Sequence, residues 1–138
     1  MIMYLDFRNE AARVGAVGAA GVEWREAVGR RSELAAVTEA MRAFGWFAGT
    51  PPEAVVAAVW PTGAADVSWS TARVAVAVAN ALGFAWGVPS LAHERTGELG
   101  LAELSTVVAD LVASSPPSRI EAVYDGAPNV TAAKPVWT

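Results

Sequence analysis

The chain has 138 residues, the usual size of one domain, and 54% of them are hydrophobic while only 17% are charged, so we expect another protein to cover part of its surface. A net charge of −4 with Lys134 as the only lysine argues against direct nucleic-acid binding, and the lack of cysteine, with His93 as the only histidine, excludes thiolate chemistry and the usual zinc sites. No apolar stretch is long enough for a membrane helix and the first residues lack a secretory-signal pattern, so the sequence predicts a cytoplasmic protein.

Three extended stretches open the chain, at residues 2–6, 11–18 and 21–28. Gly18 and Gly21 offer the turn between the second stretch and the third. The pattern predicts a unit of antiparallel strands at the start of the fold.

The hydrophobic period changes after this unit and becomes helical. Apolar residues recur at three- and four-residue spacing, at Leu34, Val37, Met41 and Phe44. Ser32 can cap the start of this helix, and Gly45 lies near its end. The segment therefore predicts an amphipathic helix.

A continuous apolar run at residues 54–60 has the length of a strand buried on both faces, and we expect it to be a central parallel strand. The next apolar segment, residues 68–86, contains Arg73 as its only ionisable group. Its valines and alanines alternate over residues 74–79, as in a strand. The length and alanine content of the segment nevertheless favour a buried helix.

One face of that second helix carries small residues four apart, at Ala75, Ala79 and Gly83. Two interpretations stay open. Small side chains allow dense packing within the domain, which is the simpler reading, and they also allow the backbone of a partner helix to approach closely.

The remaining third of the chain begins with a polar connection that runs to about Gly100, in which His93 is expected to be a solvated loop residue. A helix follows at about residues 101–113. The apolar run at 120–124 could form an edge strand, and the proline-containing tail after it is expected to be extended.

The residues that could support catalysis are few. Asp6 and Asp66 could form an acid pair if the fold joined them, but a capping or turn role is the simpler reading for each. The loop at residues 60–66 has one glycine, so it is a poor cradle for a nucleotide phosphate. We therefore predict no catalytic residue, no metal and no cofactor.

Several segments match the motifs of one known protein family. Residues 1–6 resemble its opening strand, with Phe7 and Arg8 in place of the usual Thr and Ser, and residues 31–34 resemble its first helix start. Tyr124 and residues 128–131 resemble the closing motif of short members. The most specific match is the segment at 72–89, Ala-Arg-Val-Ala-Val-Ala-Val-Ala-Asn-Ala-Leu-Gly-Phe-Ala-Trp-Gly-Val-Pro. Together these segments resemble the TsaB family of tRNA-modification proteins.

The resemblance implies an α/β fold over residues 1–138: one RNase H-like or actin-like subdomain, with a mixed five-stranded sheet of three antiparallel strands followed by parallel ones, and helices on its faces. The chain departs from the family in two places. The family's glycine-rich loop corresponds to residues 63–71, which keep only Gly63, and the usual second lobe is missing.

The resemblance also implies a function. A TsaB-like protein acts as a non-catalytic partner of its relative TsaD in making threonylcarbamoyladenosine on tRNA, so we predict pairing with a TsaD-like subunit or with a second copy. The partner-binding residues are predicted on the two long helices: Leu34, Val37, Met41, Ala75, Ala79 and Gly83.

Two other readings stay open. The chain could be a small enzyme or ligand-binding domain recruited to another pathway, with Asp6, Asp66 and Arg73 lining a residual pocket to which His93 could contribute. It could also be a simplified sequence that keeps the fold without any partner.

Overall fold

The computed structural model describes residues 1–61, 66–114 and 119–121. The elements within these ranges alternate between strands and helices after an opening run of strands. In chain order they are β1 (Ile2–Phe7), β2 (Ala11–Gly18), β3 (Gly21–Val28), α1 (Glu33–Ala43), β4 (Val55–Val59), α2 (Trp69–Trp86), β5 (Ser90–Glu94) and α3 (Leu101–Ser114).

The strands form one mixed sheet in the order β3-β2-β1-β4-β5. The first three strands pair antiparallel, whereas β4 is parallel to both β1 and β5. The predicted antiparallel opening, the interior parallel strand and the α/β fold class are therefore confirmed. Strands that are parallel require a crossover, and α1 and α2 are the two crossover helices.

β1 lies in the middle of the sheet, and every one of its residues is buried. Successive side chains point to opposite faces of a strand, so Met3 and Leu5 pack beneath α1 and α2, while Ile2 and Tyr4 pack on the side covered by α3. The sheet therefore has two apolar faces and needs helices on both of them.

The fifth strand is not where the sequence placed an edge strand. β5 occupies Ser90–Glu94, inside the segment expected to be a polar connection. Its hydrogen bonds to β4 make it a strand despite its polar composition. Ile120 and Glu121 do not form a strand, and residues 122–124 of the predicted edge strand lie outside the described residues.

The ends of α2 follow the local sequence. The Ser68 hydroxyl accepts a hydrogen bond from the Thr71 backbone N–H at 3.1 Å, which caps the first turn. Gly87 ends the helix in the left-handed conformation, with a φ of 66°. The helical reading of residues 68–86 is confirmed over the alternating-strand reading.

The start of α1 differs from its prediction. Ser32 precedes the helix, but its backbone is not extended and its hydroxyl makes no capping hydrogen bond. A capping side chain needs the extended backbone that Ser68 has and Ser32 lacks.

Within the described residues, no helix combines the length and the apolar character that crossing a bilayer requires.

Candidate functional site

A cluster of charged side chains lies at the carboxyl end of β1. Asp6 is wholly buried there. Its carboxylate accepts hydrogen bonds from Arg8 Nε at 3.0 Å and from Arg13 Nε at 2.8 Å. Arg13 lies directly opposite Asp6 in the register of β1 and β2, so the hairpin itself brings this pair together.

The two arginines determine the charge of Asp6. Burial alone would raise the pKa of the Asp6 carboxyl, but the hydrogen bonds and positive charges of Arg8 and Arg13 outweigh it and hold that pKa below its usual range. Asp6 is therefore an ionised, fully paired carboxylate. It is a poor general base, because the arginines already occupy its oxygens.

Arg8 connects Asp6 to two distant segments. It donates to Asp66 at 2.6 Å and to Glu98 at 2.8 Å, and it stacks 4.2 Å from the centre of the Trp60 ring. Burial lowers the pKa of the Arg8 guanidinium, but its bonds to three carboxylates raise that pKa overall. We call Asp6, Arg8, Arg13, Asp66 and Glu98 the Arg8 cluster.

Asp6 and Asp66 belong to the same cluster, as a pocket lined by both would require. They do not form an acid pair, because Arg8 lies between them and donates a hydrogen bond to each. Arg13 and Glu98 were not singled out from the sequence, and Arg8 was noted only as a departure from a motif. The signal for Arg8 and Arg13 is present in the sequence: Arg8 follows Asp6 by two residues at the end of the first strand, and Arg13 lies in the second of the predicted antiparallel strands. Glu98 has no comparable signal.

A second polar group lies on the α3 side of the sheet. The Tyr4 hydroxyl accepts a hydrogen bond from Arg95 Nη1 at 3.2 Å and is 2.8 Å from His93 Nδ1. Because Arg95 donates to the Tyr4 oxygen, we assign the Tyr4 hydroxyl as donor to His93, with the imidazole proton on Nε2. His93 is thus a half-buried strand residue, and its prediction as a solvated loop residue is wrong.

Acidification tests this state of His93. Burial and the positive charge of Arg95 lower the pKa of the imidazole from 6.5. The unfolded chain therefore takes up this proton at a higher pH than the folded chain, and stability is lost as the pH falls below 6.5. We expect the melting temperature to drop between about pH 7 and pH 5, and to drop less in His93→Gln. An equal drop in the two proteins would contradict this assignment.

Arg73 lies away from the Arg8 cluster. Its guanidinium stacks 4.5 Å from the centre of the Trp69 ring, on the side of α2 that borders β5. The residues of α2 that face the sheet are Thr71, Ala75, Ala79 and Gly83, so Arg73 is rotated outward. The predicted pocket of Asp6, Asp66 and Arg73 is therefore divided between two places.

Most of the predicted partner-binding residues pack inside this chain. Ala75, Ala79 and Gly83 are buried, with the first two in the core beneath α2. Val37 is also buried and Met41 packs partly against the same core, because the helical period places them toward the sheet. Leu34 alone of the six is strongly exposed, at 71%. A partner would have to approach α2 on its other side.

The outer side of α2 is unusually apolar for an exposed helix. Phe84 is 81% exposed and Trp69 is 48% exposed. Arg73 is the only charged residue in the helix. We call this surface the outer face of α2; its exposed residues are Trp69, Ser70, Arg73, Val74, Ala77, Ala81, Phe84 and Ala85.

The described residues offer little for metal chemistry. No group of three histidine, cysteine, aspartate or glutamate side chains within ranges 1–61, 66–114 and 119–121 could hold a metal ion. The acids that do converge, in the Arg8 cluster, already surround a guanidinium.

Comparison with known proteins gives a structural likeness. No protein-family model and no curated protein matches the sequence. YeaZ from Pseudomonas aeruginosa matches with a TM-score of 0.54 and 23% identity, over 67% of this chain and 43% of YeaZ. The chain has the fold of YeaZ. YeaZ is the protein also called TsaB, so the predicted TsaB-like fold is confirmed.

A second structure gives the same result. It is an uncharacterized protein with similarity to peptidase YEAZ from Pseudomonas aeruginosa, which matches with a TM-score of 0.54 and 23% identity, over 67% of this chain and 42% of that one. The chain therefore spans less than half the length of either structure.

Proposed function

We propose that this chain is a non-catalytic, TsaB-like partner protein that pairs with a TsaD-like subunit, or with a second copy of itself, in threonylcarbamoyladenosine modification of tRNA. It acts from the cytoplasm. Pairing takes place through the outer face of α2 together with the exposed part of α1 around Leu34, which lies on the same side of the sheet.

The outer face of α2 is the observation that carries this proposal. A surface helix normally presents charged residues to water, because apolar groups there gain nothing from exposure. α2 instead presents Phe84, Val74 and a row of alanines, with one arginine. Contiguous apolar surface of this kind is typical of a protein interface.

The Arg8 cluster supports the non-catalytic part of the proposal. A general acid or base must exchange protons with a substrate, and so it needs a free oxygen. Asp6 has both oxygens occupied by arginines. The cluster also ties the start of the α2 segment to β1 through Asp66, which fits a structural role.

A matched pair of substitutions tests the interface. Ala81 is exposed on the outer face of α2, and Ala109 is exposed on α3, on the opposite side of the sheet. We expect Ala81→Glu to weaken association at least about tenfold, because burying an unpaired carboxylate is costly, and Ala109→Glu to leave it unchanged. Both variants should keep the melting temperature of the wild-type chain.

The measurement is size-exclusion chromatography with light scattering, on the chain alone and mixed with the TsaD-like protein of the same genome. A homodimer that gives way to a heterodimer supports the proposal. A chain that stays monomeric with and without that protein, or an association that Ala81→Glu leaves intact, contradicts it.

A second candidate function is favoured by one observation. Arg73, one of the residues predicted to line a ligand pocket, borders a groove between α2 and β5. Under this alternative the chain is a small ligand-binding domain recruited to another pathway, and a metabolite that binds the groove would raise its melting temperature.

A further inference from the structure

A groove of about 280 Å³ lies between α2 and β5. Its apolar part consists of Val59, Val76, Ala77, Ala92 and Ile120. The volume is close to the lower limit of about 300 Å³ for small-molecule sites, so the groove fits a ligand of one ring or a short alkyl chain. We call it the α2–β5 groove.

One wall of the groove is fixed by two hydrogen bonds between the Asn80 side chain and the Ile120 backbone. The Asn80 side chain donates to the Ile120 carbonyl at 2.9 Å and accepts from the Ile120 backbone N–H at 2.9 Å. This pair of bonds holds residues 119–121 against α2, and it positions Ile120 and Glu121 as lining residues. The wall is therefore built in and does not need a ligand to form it.

Two carboxylates border this apolar surface. Glu94 is the last residue of β5, and Glu121 follows Ile120 on the fixed wall. Neither side chain makes a hydrogen bond or ion pair with another of the described residues. This contrasts with the acids of the Arg8 cluster, which are all paired with arginine. Arg73 supplies one positive charge at the groove, so the lining has a net charge of about −1.

An aromatic ring completes the lining. Trp69 is 48% exposed and carries the Arg73 guanidinium 4.5 Å from its ring centre. The indole adds aromatic surface on which an apolar ligand body can pack. The apolar surface, the indole and the two carboxylates together match a molecule with a hydrophobic body and a positive end.

We propose that the α2–β5 groove is a binding site for a small organic amine with an apolar body, such as an arylalkylamine. The ring or alkyl chain lies on Val76, Ala92 and Ile120, and the ammonium group lies between Glu94 and Glu121. The groove borders the outer face of α2 and shares Trp69, Arg73 and Ala77 with it, but neither Ala81 nor Phe84 lines the groove.

The test uses the full chain and 2-phenylethylamine as the probe, followed by the indole N–H signal of Trp69 in NMR spectra, assigned with Trp69→Phe. We expect a saturable shift of that signal. The neutral analogue 2-phenylethanol and the anionic analogue 3-phenylpropionate should bind at least about fivefold more weakly, since each lacks the ion pairs with the carboxylates.

Variants locate the site. The double substitution Glu94→Gln with Glu121→Gln should weaken 2-phenylethylamine binding about fivefold, whereas Glu103→Gln, an exposed acid on α3, should not change it. Equal binding of the amine and the alcohol, no saturable shift, or an unchanged affinity in the double variant would overturn the proposal. Ala81→Glu should bind the amine normally, because Ala81 does not line the groove, so a failure of the pairing proposal can be told apart from a failure of this one.

Discussion

Replacing Asp6 by asparagine should lower the free energy of unfolding by about 3 kcal/mol, because the change leaves two partly buried arginines without their carboxylate. Asp6 is the wholly buried member of the Arg8 cluster, and both arginines donate to it. Arg8 keeps Asp66 and Glu98, and water reaches part of Arg13, so the loss stays below that of an isolated buried pair. Urea unfolding measures the change.

Asp110→Asn is the matched control, since Asp110 is an exposed carboxylate on α3 and its loss should change stability by less than about 0.5 kcal/mol. Acidification gives a second readout. Asp6 has a lowered pKa, so its contribution is present above its ordinary pKa near 3.8 and is lost as the pH falls through the lower folded value. Asp6→Asn should therefore lose less stability on acidification than the wild-type chain. An unchanged urea midpoint in Asp6→Asn would show that the ion pairs of Asp6 contribute nothing to the free energy of unfolding.

Gly83→Ala should destabilise the chain by about 1–3 kcal/mol, although alanine is the better helix former by about 1 kcal/mol. Gly83 is buried at the contact of α2 with the start of β5. A Cβ at this position would overlap the Ser90 hydroxyl and lie 3.0 Å from the Val88 carbonyl oxygen. The Ser90 hydroxyl has little freedom to move, because it donates to the Ala79 carbonyl at 2.8 Å.

A double-mutant cycle separates this overlap from a general effect of alanine. In a Ser90→Ala background the hydroxyl is gone, and the cost of Gly83→Ala should fall by more than about 0.5 kcal/mol. Gly18→Ala is the control, since no atom lies within 4 Å of a Cβ there. Additive costs in the cycle would rule out the contact with Ser90 as the cause.

The order of strands and helices could be predicted because each segment carries its own local signal. Residues 54–60 are continuously apolar, and β4 is buried on both faces of the sheet. Residues 68–86 form a long, alanine-rich segment, and they contain the helix α2. β5 was missed because Ser90–Glu94 has three polar residues in five, and only its pairing with β4 makes it a strand.

The candidate site was predictable only in part. Asp6 and Asp66 were recognised as acids that could meet, but the arginine that joins them depends on how the ends of β1 and the α2 segment converge. Glu98 comes from a connection with no periodic pattern, so nothing in the sequence aims it at Arg8. The α2–β5 groove likewise combines residues of four segments that are far apart in the chain.

The sequence by itself determined the α/β class, the antiparallel opening, the interior parallel strand and the long, nearly uncharged helix, because hydrophobic period, segment length and helix propensity act locally. Only the tertiary structure decided what each apolar face meets. Periodicity shows that Ala75, Ala79 and Gly83 share a face of α2, but not whether the sheet or a partner covers it. The sheet covers it, because β1 and β4 present an apolar surface that must be buried, and this leaves the opposite side of α2 exposed.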